Sequence, residues 1–205
     1  EEEYEVIWTS HHLLFDGWSR AILMKELLDI YDRLLSKEKI EEKQEDRFED
    51  HIRYTAARDR DKEETFWGQY LQGLEQGTFL PFVTVESERT KDFGACGEEK
   101  VSLNERMTAA VYAYCRQQRV TVNTLFQGVW AFLLHQYTGS SHIAYGVTVS
   151  GRPEDLPEVE SRVGLYINTL PLHSFFDKEK HAVAWLQYIQ QEQLQSRSFQ
   201  YSSLS

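Results

Sequence analysis

The chain has 205 residues, of which 41% are hydrophobic and 13% aromatic, and carries a formal net charge of -11. That length and apolar content suit one large domain or two modest lobes with real cores, and they exclude a disordered chain or a repeat array. The acidity, with no basic stripe, speaks against nucleic acid and against anionic membranes, and no apolar run approaches the roughly 20 residues of a membrane span.

Residues 4–10, Tyr-Glu-Val-Ile-Trp-Thr-Ser, alternate and are rich in β-formers, which predicts a strand. A His-His loop follows, with Gly17 giving the freedom for a sharp turn at its end. A helix is predicted over about 19–35, with Leu23, Leu27, Ile30, Tyr31 and Leu34 as its apolar stripe. Residues 36–47 are almost all charged and read as a solvated boundary. Residues 48–74 look helical, with a ridge of Phe66, Trp67, Tyr70, Leu71 and Leu74. Residues 76–98 hold Gly77, Pro81, Gly94 and Gly97 and read as an extended connection.

A short strand is expected near 98–103. A helix over about 104–118 would turn Met107, Val111, Tyr114 and Cys115 inward. A second, over about 123–138, would turn Leu125, Val129, Phe132 and Leu133 inward, with Thr121 or Asn123 capping its start and Gly139 its end. A strand at 142–149, a turn-rich loop to Arg162, a strand from about Gly164 to Phe175 interrupted by Pro171, and a helix over about 180–196 complete the pattern. Strands and helices without strict alternation predict α/β layers on a mixed sheet. The two cysteines, Cys96 and Cys115, form no disulfide framework and read as reduced thiols of a cytoplasmic protein. The chain opens at Glu1 without Met and stops at Ser205 without a closing element, which reads as a piece of a longer polypeptide.

Chemistry concentrates in His11-His12-Leu13-Leu14-Phe15-Asp16-Gly17. Three readings stand. A zinc site needs three or four ligands, and no companion His or Cys pair occurs elsewhere. A core histidine followed by a helix-capping Asp16 is a purely structural reading. The third is acid–base chemistry, because imidazole titrates nearest neutrality and a strand-to-helix loop can hold it at a cleft edge.

The segment His11-His12-Leu13-Leu14-Phe15-Asp16-Gly17-Trp18-Ser19 resembles the His-His-x-x-x-Asp-Gly signature of the condensation domains of nonribosomal peptide synthetases, within the chloramphenicol-acetyltransferase-like superfamily. Two later stretches, Val149 to Pro157 with Ser-Gly-Arg-Pro and Val163 to Pro171 with Gly-Leu-Tyr-Ile-Asn-Thr, resemble a later motif of that family. Phe48 to Ile52 with Phe66-Trp67 is a looser match.

The resemblance implies an α/β fold of two chloramphenicol-acetyltransferase-like lobes, here the end of the first lobe plus much of the second. Residues 1–35 would end the N-terminal lobe, 36–75 would pass between lobes, and 76–205 would form an incomplete C-terminal lobe. It implies amide formation between a donor acyl thioester and an acceptor aminoacyl thioester. Both would arrive on the phosphopantetheine arms of upstream and downstream peptidyl carrier domains, beside an adenylation domain. No cofactor or metal would be held directly.

His12 is the implied catalytic residue, as base or as positioning group. His11, Asp16 and Gly17 would hold the loop, and Trp18 and Asn168 would line the tunnel or meet substrate. Arg152 would orient its own loop. The arginine that pairs with Asp16 would come from an earlier family motif, not from this sequence, and the chain alone would be inactive. Two other readings remain: a coenzyme A-dependent acyltransferase of the same superfamily, and a silent docking domain.

Overall fold

A computed structural model describes residues 4–40, 48–82 and 97–202. The elements run α1 (Gly17–Leu35), α2 (Phe48–Ala56), α3 (Arg60–Tyr70), α4 (Glu105–Gln118), α5 (Val122–Thr138), β1 (His142–Val149), β2 (Asn168–Phe175) and α6 (Ala182–Arg197), with a 3-10 turn at Val159–Ser161 before β2. β1 and β2 pair as a two-stranded sheet. The chain divides into two compact units. One comprises Glu1–Asp61, Thr148–Leu170 and Gln200–Ser205, and the other Lys62–Val147 and Pro171–Phe199.

The second unit holds the larger apolar core. Ala131 and Leu134 of α5, Ile143 of β1, Leu172 of β2, and Trp185 and Ile189 of α6 form one buried cluster. Cys115, Val120 and Leu186 form another, flanked by Val111, Val122 and Leu125. α5 begins at Thr121, whose hydroxyl accepts from the Thr124 amide at 3.0 Å, and ends at Gly139 in the left-handed region, φ 69°. These are the boundaries that the capping chemistry predicts.

Of the predicted inward face of α5 only Leu125 packs on the core. Val129, Phe132 and Leu133 are exposed, while Thr124, Gly128, Ala131, Leu134 and His135 are buried. Gly128 explains the rotation. A Cβ there would run into the Leu186 side chain of α6, so the helices approach through the small residue. Thr124 also donates to Gln190 of α6 at 3.2 Å. In α4 the pattern is likewise only half realised, since Cys115 is buried but Met107 is 53% exposed.

Four further expectations change. Residues 4–10 form no strand, and Tyr4, Val6 and Ile7 are exposed. A strand is defined by the ladder it shares with a neighbour, and among the described residues this segment takes part in no such pairing. The described residues near 98–103 form no strand either. The helical stretch 48–74 is two helices, α2 and α3, broken around Ala57-Arg58-Asp59. Pro171 does not interrupt β2. In a two-stranded sheet each strand has an unpaired side, where a residue without an N–H costs little. The linker expected at 36–47 and the extended connection at 76–98 lie largely outside the described residues.

The first unit has a polar centre. α1 and the 148–170 segment meet around the buried side chains of Asp16, Ser19, Arg152, Val159 and Tyr166. Phe48 of α2 lies against Gly164, where any Cβ would strike its ring. Arg162 and Asp50 form an ion pair at 2.9 Å that ties α2 to the same segment. On α1, Leu27, Tyr31 and Leu34 of the predicted stripe are exposed, and Leu23 and Ile30 are half-buried.

Candidate functional site

The His-His loop is a tight turn. The Leu14 amide donates to the His11 carbonyl at 3.0 Å, and the Leu13 amide donates to His11 Nδ1 at 3.1 Å. His11 Nδ1 is therefore spent as an acceptor within the turn. Trp8 and Phe15 close the base of the turn, their rings 5.7 Å apart. His12 sits at the turn's crest and is exposed.

Asp16 is the anchor. Only 3% exposed, it is the N-cap of α1. Its Oδ1 accepts from the Ser19 amide at 2.9 Å and the Ser19 hydroxyl at 2.8 Å. Its Oδ2 accepts from the Tyr166 amide at 3.1 Å. The Asp16 amide donates to the Gly164 carbonyl at 3.1 Å. Burial pushes the carboxyl up, but the Ser19 and Tyr166 hydrogen bonds and the charge of Arg152 outweigh it and hold the group below the usual carboxylate range. A buried charge persists only when it is paired and hydrogen-bonded, and Asp16 is both.

Arg152 corrects the expectation that Asp16 must look outside this sequence for its arginine. Its Nη2 lies 3.4 Å from Asp16 Oδ1 and donates to Ser19 Oγ at 3.0 Å. Its Nη1 donates to the carbonyls of Val159 and Arg162, at 2.5 and 2.9 Å. The guanidinium lies 4.1 Å from the Tyr166 ring and 5.5 Å from that of Trp18. Burial, and then the Arg152 charge, hold His51 below its ordinary value, and its imidazole packs on Tyr166 at 4.7 Å.

The remaining predicted residues fall as follows. Gly17 opens α1 with ordinary right-handed backbone, and a Cβ there would meet nothing within 4 Å, so the turn does not require a glycine. Trp18 is 53% exposed, and its indole N–H donates to the Glu160 carbonyl at 2.8 Å. Asn168 Nδ2 donates to the carbonyls of Gln200 and Ser202, and its Oδ1 accepts from the Thr169 amide. Its side chain thus ties residues 200–202 to the start of β2. Sequence reasoning quoted Ser19, Gly164 and Tyr166 within its motif stretches but gave them no role. For Ser19 a local signal was its place three residues after a capping aspartate, the position whose amide the cap receives. Among the described residues no His, Cys, Asp and Glu side chains gather as a metal site, and no helix is long and apolar enough to cross a membrane.

The whole chain, residues 1–205, matches the family model described as "Condensation domain". The chain belongs to the condensation domain family. This condensation chain is 37% identical over 208 residues to a linear gramicidin synthase protein of Brevibacillus parabrevis, covering 100% of the chain and 3% of that protein. It is 36% identical over 204 residues to chondramide synthase cmdD of Chondromyces crocatus, covering 100% of the chain and 5% of that protein. The first condensation domain of the calcium-dependent antibiotic synthetase, solved with a substrate analogue, superposes with a TM-score of 0.70 at 15% identity, over 93% of this chain and 44% of that one. The fold is therefore that of a condensation domain, mixed α/β and chloramphenicol-acetyltransferase-like, and the condensation chain spans under half of the solved domain.

Proposed function

We propose that this condensation chain carries the signature histidine of a nonribosomal peptide synthetase domain that joins a carrier-tethered donor acyl thioester to a carrier-tethered acceptor aminoacyl thioester. One observation carries the reading: an exposed His12 on a turn whose base is fixed by the buried Asp16. In the reaction the acceptor amine attacks the donor carbonyl carbon. The new C–N bond forms, the C–S bond breaks, and the donor phosphopantetheine leaves as a thiol that takes up the proton lost by the amine. His12 is the group that meets this amine, accepting its proton or its hydrogen bond. A thioester is already activated, so orientation alone supplies a large part of the rate.

The reading brings with it upstream and downstream peptidyl carrier domains, an adjacent adenylation domain and a cytoplasmic location. Residues 1–35 would close one lobe of the domain, 36–75 would lead across, and 76–205 would build into the other. The 205-residue chain alone would form no peptide bond. Trp18 and Asn168 would serve as wall and brace, through the hydrogen bonds to Glu160 and to residues 200–202.

The test is His12→Ala in the complete domain between its own carriers. The product on the downstream carrier is measured by intact-protein mass spectrometry. The expected loss is about 10²–10⁴-fold, and turnover near the wild-type rate would refute the assignment.

A further inference from the structure

A buried serine two residues beyond the seven-residue signature gathers the bonds behind the His12 turn. Ser19 stands at the third position of α1, fully buried at 0% exposure. A hydroxyl has one proton and two lone pairs. Both lone pairs are filled here, one by the Gly164 amide at 3.0 Å and one by Arg152 Nη2 at 3.0 Å. The proton has two acceptors in reach, Asp16 Oδ1 at 2.8 Å and the Gly164 carbonyl at 2.9 Å. The direct contact of Arg152 with Asp16 is longer, at 3.4 Å. The shorter route from the guanidinium to the carboxylate runs through this oxygen.

Ser19 also closes a reciprocal clamp. The Asp16 amide donates to the Gly164 carbonyl, and the Gly164 amide donates to Ser19 Oγ. One backbone position, 145 residues away in sequence from Ser19, is thus gripped on both of its polar groups by the first turn of α1. The turn that carries His12 ends directly on that grip.

We infer that Ser19 is a positioning residue for His12, acting through Asp16 and Gly164. This rests on the assignment of His12 made above. Losing the hydroxyl takes the acceptor from the Gly164 amide and leaves Arg152 Nη2 its longer contact to Asp16. The end of the turn is then free to shift, and a displacement of about 1 Å can cost on the order of 10²-fold in rate.

The experiment uses the complete domain with its carriers, each loaded by its own adenylation domain. Ser19→Ala, His12→Ala and the double variant are compared as a thermodynamic cycle. The expected result is a fall of about 10–100-fold in kcat for Ser19→Ala, with KM for the loaded downstream carrier unchanged. In the His12→Ala background the same substitution costs no further rate, because residues that act as a unit are not additive. A merely structural serine would not produce that coupling. If Ser19→Ala does not fold, Ser19→Cys, the substitution closest in shape, goes through the same cycle. A folded variant within about threefold of wild type overturns the inference, as does a loss that multiplies in full onto His12→Ala. Should His12→Ala itself leave turnover intact, the His12 assignment falls and the Ser19 role with it. If His12→Ala collapses turnover while the Ser19 variants do not, only the Ser19 role is refuted.

Discussion

Gly151→Ala is the sharpest probe of how the site is built. Gly151 has φ 60°, and a Cβ there would fall on the Tyr166 carbonyl oxygen. Left-handed backbone costs an L-residue about 1–2 kcal/mol. The clash adds to this, because Tyr166 cannot easily retreat. Its amide holds Asp16, and its ring packs against Phe48, His51 and Arg152. Overpacking of this kind adds about 1–3 kcal/mol, so the full effect is about 2–5 kcal/mol. Gly139 supplies the control. It has φ 69°, and a Cβ there would meet nothing within 4 Å, so Gly139→Ala carries the backbone cost alone, about 1–2 kcal/mol. Urea unfolding of the two variants in the complete domain, compared at a common slope, gives the difference. Equal losses would refute the reasoning, because they would mean that Tyr166 yields to the new methyl group at no cost.

Two predictions concern pH. The Asp16 carboxyl is held below its ordinary value in the folded state, so the unfolded state binds more protons as the pH falls past about 4. Its contribution is present above that value and is lost as the pH drops through the folded value. Asp16→Asn therefore flattens the acid limb of a urea-midpoint profile below about pH 4, and an unchanged limb would count against the hydrogen-bonded carboxylate. In the other unit, burial lowers His173, the Tyr70 carbonyl opposes this, and the neighbouring His142 adds to it. His173 Nδ1 faces the Tyr70 carbonyl at 3.1 Å and so carries the proton, which leaves Nε2 to accept from His142 Nδ1 at 3.1 Å. A second proton on His173 breaks that bond. Stability falls as the pH drops below about 6.5, and His173→Gln removes that limb from the same profile.

Local signals were legible wherever the chemistry of one segment decides the outcome. The boundaries of α5 follow from Thr121 and Gly139, and β1 occupies the predicted residues 142–149. What depends on a distant partner was not legible. Val129, Phe132 and Leu133 of the α5 stripe point away from the core because Gly128 and Thr124 admit α6 on the other face. The alternation at 4–10 has no ladder to join among the described residues. At the site, the signature marked His11, His12 and Asp16 but could not reveal what holds them. The bonds from Asp16 to Arg152 and Tyr166 span 136 and 150 residues of sequence, and no local periodicity encodes a contact of that range.

That range also sets an order of events on the ribosome. The Tyr166 amide that Asp16 needs is polymerised 150 residues after it. At roughly 5–20 residues per second, that interval lasts about 8 to 30 seconds. For most of it the carboxylate has no Arg152 and no Gly164 to hold. The turn bearing His12 is thus made long before it can set, so a polypeptide truncated before Tyr166 would contain every letter of the signature without the bond that completes the hold on Asp16.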